Sequence, residues 1–202
     1  NALRDFVLSG AELQGAAKER HAAIRQRLSA LQQQYSEHVL DATDTFAYYA
    51  AADELDGVPE DVLGATREAA AAEGRDGHKL TLHYPVYGPV MQYATHRALR
   101  ERLYTAYVTR ASEMGPPERD NTALMREILA LKQEEARLLG HPTYAELSLV
   151  PKMARNPIEV QAFLRDLAAR ARPHAERDIC ELRAFAAAEL GLTDLQAWDL
   201  AF

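Results

Sequence analysis

The chain has 202 residues, of which 48% are hydrophobic and 26% are charged, and this balance excludes an intrinsically disordered chain. The net charge is −7, and its 23 basic residues are spread among 30 acidic ones. No segment concentrates lysine and arginine as a nucleic-acid surface does, so nucleic acid is not an expected partner. Cys180 is the only cysteine, which excludes an intrachain disulfide framework, and we expect its side chain to be buried.

No membrane partner is expected either. The longest stretch without Asp, Glu, Lys or Arg covers residues 80–96 and contains Pro85 and Pro89, so it is too short and too broken to span a bilayer. No signal-peptide pattern opens the chain, and the cytoplasm is the expected location. The chain starts at Asn1 instead of methionine and ends on the apolar residues 200–202, which favours a fragment of a longer protein.

The first forty residues predict a short extended segment followed by one long helix. The segment from Leu3 to Leu8 is predicted to be extended. Ser9 and Glu12 have the spacing of a capping box, so a helix should begin near residue 10. Apolar residues then recur at steps of three and four, which is typical of an amphipathic helix of about thirty residues. These residues are Ile24, Leu28, Leu31, Tyr35 and Val39.

A small β element is predicted between residues 43 and 84. Residues 79–84 alternate apolar and polar side chains and stop at Pro85, which indicates a strand. Residues 43–51 are its candidate partner in a two-stranded pairing. Between the two segments, Gly57 predicts a turn, and Pro59 predicts the first residue of a helix to about residue 73, ended by Gly74.

The rest of the chain predicts helices at residues 97–113, 121–140, 142–149 and 157–191. The last helix should be kinked at Pro173. At about 1.5 Å per residue it would be roughly 50 Å long, too long for a compact domain of this size, so we expect something else to pack against its apolar side. That side consists of Val160, Phe163, Leu164, Leu167, Ile179, Leu182 and Phe185. The predicted fold class is mainly α, a long-helix bundle with a small two-stranded β element near residues 43–84.

Motifs of known catalytic centres are missing from the sequence. A zinc-peptidase helix carries His-Glu-x-x-His, but none of the seven histidines is followed by glutamate. No Gly-x-Ser-x-Gly, Gly-x-Gly or P-loop occurs. His78 and His83 fall on opposite faces of the predicted strand, so a shared metal is not expected. We therefore predict no catalytic, cofactor-binding or metal-binding residue in this chain.

Other polar and aromatic groups have ordinary structural interpretations. His174 and Asp178 have the i, i+4 spacing of a surface pair on a helix. Glu134 and Glu135 alternate with basic residues as on a solvated helix face. Most of the clustered tyrosines should be core or half-buried residues, and a few could line a groove. They are Tyr84, Tyr87, Tyr93, Tyr104 and Tyr107.

Short runs along the whole chain resemble, in the same order, the bacterial oligopeptidase A group of the thimet oligopeptidase family. The longest is Tyr-x-Ala-Tyr-x-Thr-Arg-Ala-Ser at residues 104–112, and the last is Gln-x-Trp-Asp at residues 196–199. The other runs lie at residues 3–6, 8–10, 27–29, 35–36, 39–43, 99–101, 127–131, 138–140, 144–145, 152–154 and 167–173. Each run is short, and their common order makes the resemblance specific.

The resemblance implies a cytoplasmic zinc endopeptidase that cuts short peptides, with a largely helical fold whose two lobes are separated by a deep channel. In the family, zinc is held by the two histidines of His-Glu-x-x-His and a downstream glutamate, and the motif's own glutamate activates water. All of these lie C-terminal to the run at Trp198-Asp199, so none maps onto this chain. The part that maps is helical scaffold from one channel wall.

We therefore predict that residues 1–202 are the N-terminal helical region of a larger metalloprotease, a hydrolase whose catalytic zinc domain is absent here. This region should be inactive and hold no cofactor, whereas the full-length protein should hold zinc. Expected partners are short peptides in the full-length channel, the missing C-terminal catalytic region, and a second copy through an exposed apolar face. The alternative is a self-contained helical module that binds peptides or proteins in a groove.

Overall fold

The computed structural model describes residues 2–202. Among these residues it contains eight α-helices and one small two-stranded antiparallel sheet, and 68% is helical. The order is α1 (Ala2–Leu8), α2 (Gly15–Asp44), β1 (Tyr48–Ala50), α3 (Glu60–Ala71), β2 (His78–Leu80), α4 (Tyr84–Tyr93), α5 (Arg97–Val108), α6 (Thr122–Leu138), α7 (Tyr144–Leu149) and α8 (Pro157–Glu189). The predicted fold class is confirmed.

The chain divides into two compact units. The first contains the residues up to 35 and residues 123–185. The second contains residues 36–122 and 186–202. Each unit therefore contains segments that are far apart in the sequence.

In the first unit, α2 and α6 run antiparallel and are joined by two ion pairs. Arg20 Nε lies 2.6 Å from Glu134 Oε1, and Arg27 Nε lies 2.6 Å from Glu127 Oε1. The two pairs are seven residues apart on both helices. The residue numbers rise along α2 as they fall along α6, so the two helices run in opposite directions. Such exposed pairs add little stability, whereas the apolar residues of α2 between and beyond them are buried, as the 3.6-residue period predicts. These are Ile24, Leu28 and Leu31.

The beginning of this unit differs from the prediction. Residues 2–8 form a helix instead of an extended segment, and α2 begins at Gly15 instead of near residue 10. Ser9 Oγ donates a hydrogen bond to Phe6 O at 2.7 Å, so the predicted capping box does not form. Gly10 has φ of 81°, and a Cβ added there would lie 2.7 Å from His21 Nδ1. Glycine is thus required both for the left-handed turn after α1 and for the close approach of the His21 ring.

In the second unit, β1 pairs antiparallel with β2, with Tyr48 opposite Leu80 and Ala50 opposite His78. The predicted pairing is confirmed, but the second strand ends at Leu80 instead of residue 84. Pro85 stands in the first turn of α4, where proline is favoured because its missing N–H would be unpaired anyway. Similarly, Pro59 caps α3, which begins one residue later at Glu60.

The core of the second unit lies where α3, α4 and α5 pack with the sheet. Full burial of a side chain such as Leu contributes about 1.5–3 kcal/mol, so this cluster is the main source of stability in the unit. Aromatic residues at its edge are half-buried, among them Tyr87, Tyr104 and Trp198. The buried members are Ala50, Leu55, Val58, Leu80, Val90, Met91, Ala94, Leu99 and Leu103.

Candidate functional site

No three His, Cys, Asp or Glu side chains in residues 2–202 converge as a metal ion requires. The two histidines near the sheet have separate partners. His78 is buried, and its Nδ1 lies 3.0 Å from Thr66 Oγ1. His83 is exposed, and its Nε2 lies 3.1 Å from Asp44 Oδ1.

Three predictions about single polar residues are wrong. His174 contacts Arg177 instead of Asp178, with Nδ1 2.7 Å from Arg177 Nη2. Cys180 is exposed, because α8 turns almost all of its surface to solvent in this structure. Glu135 is buried whereas its neighbour Glu134 is half-buried; both carboxylates contact α2, Glu134 through Arg20 and Glu135 through His21 and Arg25.

Glu135 belongs to a buried polar cluster in the first unit that the sequence did not reveal. Its Oε1 lies 3.7 Å from His21 Nε2 and accepts a hydrogen bond from Arg25 Nη1 at 3.3 Å. His21 Nε2 has no hydrogen-bond partner within residues 2–202. The carboxylate therefore faces two groups of α2 that can carry positive charge, and it ties α6 to α2.

A second polar cluster fixes the end of the second unit. Asp199 Oδ1 accepts from Arg100 Nη2 at 2.9 Å, and Asp199 Oδ2 accepts from Arg97 Nη2 at 2.8 Å. The Arg100 and Asp199 side chains are each 1% exposed. The backbone N–H of Gln196 also donates to Asp199 Oδ2 at 3.0 Å, and the Phe202 ring lies 4.0 Å from the Arg100 guanidinium carbon. These contacts hold residues 196–202 against α5.

The arginines keep Asp199 ionised. Burial by itself would raise the pKa of the carboxyl group, because it disfavours the charged form. Hydrogen bonds from Arg97, the Gln196 N–H and Arg100 outweigh this effect and lower the pKa of Asp199 from 3.8 to about 2. The carboxylate is therefore charged at neutral pH.

This depressed pKa predicts a loss of stability in acid. Because one pKa unit equals about 1.4 kcal/mol, Asp199 contributes about 2 kcal/mol that is present above pH 4–5 and is lost as the pH falls towards 2. We expect Asp199→Asn to remove that part of the pH dependence when urea unfolding is followed at pH 6 and pH 3 through Trp198, the single tryptophan. If the free energy of unfolding fell equally from pH 6 to pH 3 in the parent chain and in the variant, Asp199 would not be the source of this pH dependence.

Several large apolar side chains of the first unit are exposed on α8. Among its 33 residues only Ala186 is buried. Residues spaced three, four and eighteen apart share one side of a helix, and on this side Phe163, Leu167 and Phe185 are 65%, 52% and 58% exposed. We call this surface the α8 face; it consists of Phe163, Leu164, Leu167, Leu182 and Phe185. The face consists of two apolar groups, at residues 163–167 and 182–185, and exposed apolar groups of this kind are typical of interaction sites.

Charged residues separate the two apolar groups of the face, since Asp178 and Glu181 stand four residues before Leu182 and Phe185 on the same side of the helix. No helix in residues 2–202 has the length and apolar character needed to cross a membrane. Pro173 lies inside α8, which continues through it without a break. The kink at this residue stays a prediction.

The sequence pattern of Peptidase family M3 matches residues 90–202. That segment is more than half of the chain and includes α5, the Asp199 cluster and α8. The chain belongs to peptidase family M3. The resemblance found in the short sequence runs is therefore confirmed.

Individual M3 relatives match the chain from end to end. It is 50% identical to oligopeptidase A of Salmonella typhimurium over 205 residues, which cover 100% of the chain and 30% of that protein. It is 38% identical to the Arabidopsis thaliana protein named probable cytosolic oligopeptidase A, covering 99% of the chain and 29% of that protein. Escherichia coli dipeptidyl carboxypeptidase is 28% identical, over 98% of the chain and 29% of its own length. The chain thus spans about 30% of the length of these curated relatives.

Family M3 peptidases are generally zinc-dependent, but the donors in residues 2–202 do not fit a zinc ion. Zinc sites use three or four nitrogen, sulfur or carboxylate ligands from the protein. No such group of three converges in the described chain, and His78 and His83 are engaged with Thr66 and Asp44.

Proposed function

We propose that this chain is a non-catalytic helical part of the channel wall of a zinc-dependent oligopeptidase that hydrolyses short peptides. One observation carries the proposal. The chain is 50% identical over its whole length to a protein named oligopeptidase A, of which it spans 30%. A His-Glu-x-x-His motif of such a protein would lie outside these 202 residues, because no histidine here is followed by glutamate.

In this proposal residues 1–202 are the N-terminal helical region, and no residue in them is catalytic or binds the metal. Substrates would be short peptides held in the full-length channel. The name of the Arabidopsis relative, probable cytosolic oligopeptidase A, supports a cytoplasmic location. The polar clusters around Glu135 and Asp199 would make the wall rigid, because each one links segments that are distant in the sequence.

The exposed α8 face is evidence that another protein segment packs on this scaffold. In the full-length protein the C-terminal catalytic region would pack on it, and each fully buried Phe or Leu would contribute about 1.5–3 kcal/mol. In the isolated chain the same face would favour self-association, because leaving several large apolar side chains in water costs free energy.

The catalytic half of the proposal is tested by assaying this chain and the product of its full-length gene. Zinc content is measured by atomic absorption, and cleavage is followed with a fluorogenic short peptide. We expect the full-length protein to hold zinc and to cleave the peptide, and the chain to do neither. Cleavage by the chain alone that is lost to a chelator would overturn the proposal.

The partner half is tested by the double variant Phe163→Gln, Leu167→Gln, with Leu3→Gln, Met153→Gln as the matched control at exposed apolar residues outside the α8 face. We expect the α8 variant to lower the free energy of unfolding of the full-length protein by about 3–6 kcal/mol. It should also shift the isolated chain towards monomer in light scattering. If the α8 variant of the full-length protein were as stable as the control variant, the result would instead favour the alternative that this chain is a self-contained helical binding module.

A further inference from the structure

A small cavity in the second unit contains two arginines and no acidic side chain. It has a volume of about 240 Å³ and lies between the C-terminal ends of α2 and α5 and the loop of residues 109–119. Its apolar walls include Phe46, Leu82, Ala106 and Pro116, and its charged groups are Arg110 and Arg119. We call it the arginine cavity.

Arg110 is held in place by neutral partners. Its Nη1 donates to Thr43 Oγ1 at 2.8 Å, and its Nε donates to Tyr107 O at 2.8 Å. Its guanidinium carbon lies 3.7 Å from the centroid of the Tyr107 ring. The next residue, Ala111, has φ of 51°, a left-handed conformation that alanine rarely adopts, and backbone strain of this kind clusters at functional sites.

Arg119 approaches the same cavity from the other end of the loop. Its Nη1 donates to Thr45 Oγ1 at 2.6 Å and lies 3.5 Å from Asp41 O. In the part of the chain that the structure describes, the contacts of both guanidinium groups are hydroxyl and carbonyl oxygens, and none is a carboxylate. A guanidinium group has five N–H donors, so each arginine keeps donors for a further acceptor.

The charges around the cavity do not cancel. Two guanidinium groups contribute two positive charges, and each of the two helix C-termini contributes about half a negative charge. About one positive charge therefore remains among the groups that line the cavity, beside apolar side chains such as Phe46 and Leu82. A single anionic group would neutralise it.

We propose that the arginine cavity binds a carboxylate carried by a small apolar group, such as a carboxyl-terminal leucine. A carboxylate matches the planar fork of a guanidinium in a bidentate pair. The apolar walls favour this monoanion over phosphate, whose larger charge would cost more to desolvate. The volume is below the roughly 300–1,000 Å³ of pockets for drug-sized ligands, so one amino-acid residue is the right size. The proposal does not depend on the catalytic assignment of the longer protein.

The test titrates the ¹⁵N-labelled chain with N-acetyl-L-leucine and follows amide shifts by NMR. We expect saturable shifts centred on residues 106–119. Neutral N-acetyl-L-leucinamide and inorganic phosphate should each bind at least about tenfold more weakly, since each lacks either the charge or the apolar group. The absence of a saturable shift, or binding of N-acetyl-L-leucinamide as tight as that of N-acetyl-L-leucine, would overturn the proposal. Phosphate binding as tight as that of N-acetyl-L-leucine would overturn the claim that the apolar walls contribute to recognition.

Variants locate the site. Arg119→Gln should weaken binding at least about tenfold, whereas Arg67→Gln, the same change at an exposed arginine outside the cavity, should stay within about twofold. Arg110→Gln also removes the link to Thr43, so Arg119→Lys is the second informative variant: it keeps the charge, loses the fork and should bind several-fold more weakly. Unchanged binding in both Arg119 variants would rule the cavity out.

One further ligand distinguishes the two possible sources of the carboxylate, the end of a peptide and a free carboxylic acid. Gly-Gly-Gly-Leu carries the same terminal residue as N-acetyl-L-leucine on a longer chain. Binding at least as tight as that of N-acetyl-L-leucine identifies the end of a peptide as the ligand. Binding of the small acid alone identifies a free carboxylic acid.

Discussion

Replacing Asp199 with asparagine should lower the free energy of unfolding of the second unit by about 3–5 kcal/mol. The side chains of Asp199 and Arg100 are each 1% exposed and lie 2.9 Å apart. Asparagine has nearly the same shape but no charge, so the Arg100 guanidinium would stay buried without a counter-ion. Breaking a buried pair from one side is costly because the remaining charge cannot regain its hydration.

The measurement is urea unfolding at pH 7, followed by the fluorescence of Trp198. Asp194→Asn removes the same charge from an exposed position five residues away, and we expect it to change stability by no more than about 0.5 kcal/mol. Arg97→Gln should have an intermediate effect, since the Arg97 side chain is 36% exposed. A loss below 1 kcal/mol for Asp199→Asn would mean that the cluster does not stabilise the unit.

Replacing Gly57 with alanine should destabilise the second unit by about 3 kcal/mol. The added Cβ would lie 2.3 Å from the backbone oxygen of Tyr93, and the residue has φ of 89°. The left-handed conformation costs alanine about 1–2 kcal/mol, and an overlap with backbone that cannot move freely costs about 1–3 kcal/mol more. The backbone cannot move freely because the Thr95 N–H donates to Asp56 O at 2.9 Å.

Gly74→Ala separates these two costs. Gly74 has φ of 67°, but an added Cβ would meet no atom within 4 Å, so only the conformational cost of about 1–2 kcal/mol applies. Both glycines lie in the second unit and are read by the same tryptophan signal. If the two variants were equally destabilised, the contact between residues 57 and 93 would contribute nothing.

The helices and the strand pairing could be predicted because local signals specify them. The step of three and four along α2 places Ile24, Leu28 and Leu31 on one buried side, and proline and glycine mark most helix ends. Proline at Pro85 stopped the predicted strand, but it does not say whether the preceding residues are extended or already enter a helix. That is why residues 81–84 were assigned wrongly.

The polar clusters could not be predicted because they join segments far apart in sequence. Asp199 meets Arg97 and Arg100 across about a hundred residues, and Glu135 meets His21 across a similar separation. Each of these residues stands among other charged residues, and periodicity does not distinguish a charge that faces a partner from one that faces water. The exposure of Cys180 was equally inaccessible, since apolar periodicity indicates which residues share a side and not what covers it. The uncovered apolar side of α8, by contrast, could be expected from the length of that helix.

The antiparallel pairing of α2 and α6 has an ambiguity that its ion pairs cannot resolve. A slide of seven residues, about 10 Å along the helix axis, would bring Arg20 level with Glu127 and restore one pair. The contact of His21 with Glu135 has no such second setting, because the same slide would bring the apolar Ile128 level with His21. The buried carboxylate of Glu135 therefore distinguishes two helix registers that the exposed ion pairs leave equivalent.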